Sequence, residues 1–200
     1  MRTISYAEAM NEALQEEMRR DPSVYLMGLG LHMSSQGPGL TSGLLEEFGA
    51  ERVRGIPISE PAIAGACVGA ALAGMRPVAY FSLADFVICA LDEILGKAGK
   101  WRYTHGAEGG MSVPLVFLQA MGGYTRSASE HSQSPLALYA HAPGLKIAIS
   151  EEPKPQIAEE DGGACGYDIW IAHIRAYQQA YAWERQRDHG EAVWLYSLPQ

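Results

Sequence analysis

Apolar positions along the first 150 residues alternate between two periods. Ala9, Ala13, Leu14 and Met18 form one stripe of a helix. Ser5 followed three residues later by Glu8 is a capping box at its start, and Asp21-Pro22 ends it. Val24–Met27 is a short unbroken apolar run, which predicts a buried strand. Gly28 to Gly43 is a polar, Gly-containing loop, and a short helix over Gly43–Phe48 is closed by Gly49. Val53 and Ile56–Ile58 predict a second extended segment, followed by a helix over Pro61–Ala73 that stops at Gly74. The pattern continues with a strand at Pro77–Phe81 and a long helix at Phe86–Tyr103 carrying Ile88, Leu91, Ile94, Leu95 and Ala98. A strand at Val113–Gln119, a polar loop over Gly122–Gln133, a helix at Pro135–His141 and a strand at Leu145–Ile149 complete it. Unbroken apolar strands alternating with helices predict an α/β fold whose mainly parallel sheet is covered on both faces.

The last fifty residues change character. Residues 151–161 are acidic and carry Pro153 and Pro155. Four basic against nine acidic residues place five of the chain's eight net negative charges in 151–200. A helix is expected over 168–188, with Trp170, Ile174, Tyr177 and Tyr181 on one face as a packing stripe, and a strand at Val193–Leu198. The chain therefore divides into a domain over 1–150 and an acidic, partly helical tail over 151–200.

Composition narrows the function. With 48% hydrophobic and 19% charged residues the chain is of globular type rather than disordered. The net charge of −8 and the lack of a basic cluster argue against nucleic acid as a partner. The longest apolar stretch, Ala62–Ala73, is too short to span a bilayer. No apolar signal core follows the N-terminus, so a cytoplasmic location is expected. Cys67, Cys89 and Cys165 are far apart and read as buried, reduced thiols, with no metal site. His105, His141, His173 and His189 stand alone, as surface or internally satisfied histidines. Gly28-Leu29-Gly30 follows a strand but opens no helix, so it is a poor dinucleotide fingerprint.

Three features carry more chemical content. Ile58-Ser59-Glu60-Pro61 lies at a strand-to-helix junction, the carboxyl edge where parallel sheets bind ligands. Glu60 there is either a carboxylate answering the helix dipole or an acid–base group. Gly65 and Gly69, with Ala66, Ala70, Ala73 and Gly74, give the following helix a small face suited to close packing, within the domain or against another subunit. Ser129-Glu130-His131-Ser132-Gln133 lies beyond another strand, where His131 could pass protons.

In combination with Arg2-Thr-Ile-Ser-Tyr-Ala-Glu-Ala, Leu44-Leu-Glu-Glu-Phe-Gly, Pro57-Ile-Ser-Glu-Pro-Ala-Ile-Ala-Gly, Val68-Gly-Ala-Ala-Leu-Ala-Gly-Met-Arg-Pro-Val, Ala84-Asp-Phe, His131-Ser-Gln-Ser and His141-Ala-Pro-Gly-Leu-Lys, these stretches resemble a known family. It is the beta subunit of the thiamine-diphosphate-dependent component of 2-oxo-acid dehydrogenase complexes, of pyruvate, acetoin or branched-chain type. The resemblance implies the three-layer, transketolase-like pyrimidine-binding module and an enzyme that decarboxylates a 2-oxo acid and transfers the activated aldehyde or acyl group. It implies that Glu60 hydrogen-bonds the cofactor's pyrimidine ring nitrogen, that Phe86 packs against the pyrimidine, that Ser82 lines it, and that His131 faces substrate and acyl acceptor. The family's Gly-Asp-Gly motif for the diphosphate has no match, since Asp161-Gly-Gly has the wrong order. Thiamine diphosphate would thus be shared with an alpha-type subunit that holds the Mg²⁺ in an α₂β₂ heterotetramer, with a lipoyl acyltransferase as a further candidate partner. Leu29 stands where the family carries an acid, Tyr80 replaces a frequent Glu, Cys89 a frequent Gln and Gly96 a frequent Asn. The resemblance ends near Ile149. The alternatives are a non-catalytic scaffolding or regulatory paralogue, and a thiamine-diphosphate carboligase subunit.

Overall fold

The computed structural model describes residues 6–31, 39–105, 112–122, 128–150 and 191–197. Its centre is a six-stranded sheet of β1 (Val24–Leu29), β2 (Val53–Ile56), β3 (Arg76–Leu83), β4 (Val116–Met121), β5 (Leu145–Ser150) and β6 (Glu191–Ser197). The strand order is β2-β1-β3-β4-β6-β5, and every neighbouring pair is parallel. The helices are α1 (Tyr6–Arg20), α2 (Leu44–Phe48), α3 (Glu60–Leu72), α4 (Trp101–His105) and α5 (Leu136–Ala140). Among the described residues no helix is long and apolar enough to cross a membrane.

Strand alternation divides the core into two layers, because successive side chains point to opposite faces. Val24 and Leu26 of β1, Val78 of β3 and Leu118 of β4 pack on one face with Met10, Leu14 and Met18 of α1 and Leu44 of α2. Tyr25, Met27, Ala79, Phe81 and Phe117 pack on the other with Ile63, Cys67 and Val68 of α3 and with Val87 and Ile94. The result is the α/β three-layer sandwich that the sequence pattern predicts. The central strands approach unusually closely at Gly28: a Cβ there would lie 2.3 Å from the carbonyl oxygen of Tyr80.

Boundaries shift where a proline removes a ladder donor. β2 stops at Ile56, before Pro57, and the expected strand residue Ile58 is 77% exposed instead. β4 begins at Val116 rather than Val113, beyond Pro114, although Val113 and Leu115 are buried. The long helix expected at Phe86–Tyr103 is a continuous rod but not one α-helix. It runs as a 3₁₀ segment (Ala84–Ala90), a π-helical segment (Asp92–Lys97), a second 3₁₀ turn (Ala98–Lys100) and α4. The Gly99 carbonyl is drawn off to the Gly144 N–H at 3.1 Å, and a Cβ on Gly99 would meet Ala142 at 3.0 Å and Leu145 at 3.1 Å. The rod is pulled onto the start of β5 and gives up regular α-hydrogen bonding there.

The expected strand near the end of the tail is β6, between β4 and β5. The capping box at Ser5 and the helix expected over 168–188 lie outside the described residues. Cys67 is buried and free, and burial pushes its thiol up to about 12. Cys89 corrects the expectation of a buried thiol: the 3₁₀ segment turns it outward and it is exposed. Cys165 lies outside the described residues. His105 is exposed and stacks on Trp101 at 4.3 Å, and His141 is exposed as well.

Candidate functional site

In a parallel sheet all strand carboxyl ends share one edge, which is where ligands bind. The four residues singled out from the sequence all follow or end strands at this edge. Glu60 opens α3, four residues beyond β2, with Pro61 behind it and Ser59 at the N-cap. The Ser59 side chain makes no cap hydrogen bond, so the Glu60 carboxylate stands at the positive end of the helix dipole without a serine competing for the same backbone donors. Ser82 lies in β3 where the pairing with β4 slips register between Tyr80 and Leu83. Its φ of 56° is left-handed, a strained conformation for a residue with a Cβ and one that gathers at functional sites. The slip ends β3 and turns the chain into the 3₁₀ segment that carries Phe86. His131 ends a short 3₁₀ turn (Ser129–His131) beyond β4.

Two of the four meet directly. The Phe86 and His131 rings are 5.2 Å apart and nearly perpendicular, at 88°. An edge-to-face pair of this kind is a favourable aromatic geometry. Glu60, Ser82, Phe86 and His131 are each half-buried, neither sequestered in the core nor free in solvent. α3 packs against both the Ala84–Ala90 and the Asp92–Lys97 segments, so the helix carrying Glu60 is braced on the segment carrying Phe86. No contact between Glu60 and the Phe86–His131 pair is among those described.

Sequence reasoning missed Asp85. It is 6% exposed, and its Oδ1 accepts the Gln133 N–H at 2.9 Å. The signal was present: an acid between Ala84 and Phe86-Val87, on a stretch whose neighbours are core, has to find a partner. Gln119 and Tyr139 were missed as polar partners too. Both are fully buried, and the Tyr139 hydroxyl donates to Gln119 Oε1 at 2.8 Å.

The outward side of α3 is small. Ala62, Ala66, Gly69 and Ala73 are exposed, and a Cβ on Gly69 would meet nothing within 4 Å. Gly65 passes the Glu93 carboxyl at ordinary contact distance, 3.5 Å from its would-be Cβ. Packing among the described residues explains Gly65 in part and Gly69 not at all.

Comparison with known proteins places these features in a wider setting. Residues 2–155 match the family described as transketolase, pyrimidine binding domain. Over 185 residues the chain is 38% identical to the 2-oxoisovalerate dehydrogenase subunit beta of Bacillus subtilis (strain 168), covering 89% of this chain and 54% of that protein. Over 149 residues it is 41% identical to the pyruvate dehydrogenase E1 component subunit beta of Rhizobium meliloti (strain 1021), covering 74% of this chain and 32% of that one. The chain thus spans about half the length, or less, of these curated relatives. Among solved structures it is similar to a split-gene transketolase in an inactive beta4 tetramer, with a TM-score of 0.64 and 16% identity, over 95% of this chain and 50% of that one. That likeness is one of fold.

Proposed function

This chain belongs to the transketolase pyrimidine-binding domain family, and on that premise we propose that it is the beta-type subunit of a thiamine-diphosphate-dependent enzyme acting on a 2-oxo acid. The observation that carries the reading is the Glu60 carboxylate at the first residue of α3, half-buried on the same sheet edge as the Phe86–His131 pair.

The residues fit the pyrimidine end of such a cofactor. A carboxylate oxygen accepts a hydrogen bond from a protonated ring nitrogen, and an aromatic face half open to the site offers a flat apolar surface for a flat ring. Thiamine diphosphate, when bound, supplies the carbanion and electron-sink chemistry that decarboxylation requires. The protein's contribution is to bind and orient. Glu60 would hold the proton at the pyrimidine ring nitrogen. Phe86 limits where the ring can lie. His131, at the rim, orients the substrate or acceptor and holds or passes a proton.

An alpha-type partner holding the diphosphate and Mg²⁺ is part of the same proposal. It is supported by the small, exposed face of α3 over Ala62, Ala66, Gly69 and Ala73, continuous with Pro61 and the 77% exposed Ile58. Small side chains let another helix approach closely, and an apolar exposed face invites one. A heterotetrameric assembly, with such a pairing as one of its contacts, belongs to the same proposal.

Co-expression with an alpha-type subunit tests the reading. The complex is expected to bind thiamine diphosphate by calorimetry and to release CO₂ from a 2-oxo acid. Glu60→Gln is expected to lower turnover by about 10²-fold or more, the usual span for a lost acid–base function. A wild-type complex that binds no thiamine diphosphate, or a Glu60→Gln complex with full turnover, would overturn it.

A further inference from the structure

We propose that Asp85 is the positioning residue for His131: its carboxylate holds the backbone of Gln133 and thereby fixes the imidazole against Phe86. The inference rests on the assignment of His131 to the site and adds how that side chain is held there.

His131 has little local support. Its turn begins at Ala128, whose φ of 62° is left-handed, and its own N–H reaches the Ala128 carbonyl only at 3.5 Å. A long bond of this kind does little to define a loop. Two residues on, the backbone is held from both sides. The Gln133 N–H donates to Asp85 Oδ1 at 2.9 Å, and its carbonyl accepts the Gly122 N–H at 3.1 Å. Ser134 adds a weaker contact, its hydroxyl 3.4 Å from the Met121 sulfur. Gln133 therefore bridges the end of β4 and the 3₁₀ segment after β3.

Asp85 and Phe86 are consecutive on that segment, where side chains project about 120° apart. One is turned into the core and the other to the rim, yet both engage the 131–133 stretch: Asp85 its backbone, Phe86 the His131 ring. If the ring pair alone set the imidazole, nothing would require an acid at 85. An acid there is costly: among the described residues the buried Asp85 Oδ2 has no hydrogen-bond partner, and a buried polar atom in that state is unfavourable. An apolar side chain would fill the space without that penalty. The oxygen that is used, Oδ1, accounts for an oxygen acceptor at this position.

Beneath lies a rigid polar floor. Gln119 and Tyr139 are fully buried and bonded to each other. Burial pushes the Tyr139 hydroxyl above its ordinary range, opposed by its bond to Gln119 and reinforced by the Asp85 charge. Tyr139 therefore stays a proton donor toward Gln119 and leaves Asp85 Oδ1 to the Gln133 N–H.

The test is proton–carbon NMR of the His131 imidazole in the full 200-residue chain, where the Phe86 ring current displaces its resonances. Phe86→Leu sets the undisplaced position. Asp85→Ala is expected to move the His131 resonances at least halfway to that position. Asp85→Asn keeps an oxygen acceptor and is expected to hold them where the wild type does. A folded Asp85→Ala chain with unmoved His131 resonances, or an Asn variant that behaves like the Ala variant, overturns the proposal. If Asp85→Ala does not fold, hydrogen exchange in the wild type decides. The Gln133 amide is expected to exchange at least about 100-fold more slowly than the exposed Glu130 amide, as a held backbone group does, and equal rates overturn the proposal. None of these readouts needs cofactor, partner or turnover. A wild-type complex with no decarboxylase activity but displaced His131 resonances would count against the assigned function and leave the clamp standing.

Discussion

Gly28→Ala isolates one contact between the neighbouring strands β1 and β3. A Cβ at 28 would stand 2.3 Å from the Tyr80 carbonyl oxygen and 2.8 Å from the Tyr80 Cβ. Ordinary contact begins near 3.4 Å, so the strands must separate by about 1 Å or twist apart. The nearest obstacle is backbone, with no rotamer to escape into. β1 and β3 are tied through five paired positions from Val24 to Gly28, so a local gap spreads along the ladder and into both core layers. Overpacking a core typically costs about 1–3 kcal/mol, and more where backbone must move. The expected loss is at least about 3 kcal/mol in urea denaturation at 25 °C, or roughly 6–12 °C in melting temperature for a chain of this size. Tyr80→Gly in the same chain removes the 2.8 Å neighbour but not the 2.3 Å one, so it should not rescue Gly28→Ala. A Gly28→Ala chain within about 0.5 kcal/mol of wild type, or full rescue by Tyr80→Gly, would show that the backbone approach is not what demands a glycine.

Two further substitutions probe other links. Gly69→Ala is expected to stabilise the isolated chain by up to about 1 kcal/mol, because alanine favours the helix and meets nothing, while weakening co-purification with an alpha-type subunit. Unchanged assembly would detach the small face of α3 from partner binding. Burial alone would raise the Asp21 carboxyl, but hydrogen bonds from Ser23 and the neighbouring Arg76 hold it below its ordinary value. A lowered folded-state value stabilises above the unfolded value, about pH 4, and that contribution fades as pH falls through the folded value. Asp21→Asn should therefore be less stable than wild type at pH 7 and converge with it in acid. Parallel stability curves from pH 7 to pH 2 would refute this.

Alternation of apolar runs made the sheet and its two covering layers legible, because a run such as Val24–Met27, buried throughout, has no other way to satisfy both faces. The edge residue Glu60 was legible from its place between a strand and Pro61. The pairing of Phe86 with His131 was not, since it arises where β3 and β4 end side by side, and no local pattern encodes it. Asp85 was hidden for a related reason: its partner is a backbone N–H, which every residue but proline possesses. The irregular rod over 84–105 escaped because apolar spacing there fits a plain helix. At its far end the Gly99 carbonyl is bonded to Gly144, distant along the chain, which no local pattern announces. His131 and Glu60 gained their roles from the resemblance more than from spacing.

β6 also bears on the order in which the molecule can assemble. Among the described strands β5 joins the sheet through β6, so residues 145–150, though made earlier, cannot take this place in the order until 191–197 arrive. During synthesis the β2-β1-β3-β4 half can close first, leaving the edge of β4 open and able to pair with another chain. β6 thus acts as a late keystone: removing it would expose the edges of β4 and β5 at once.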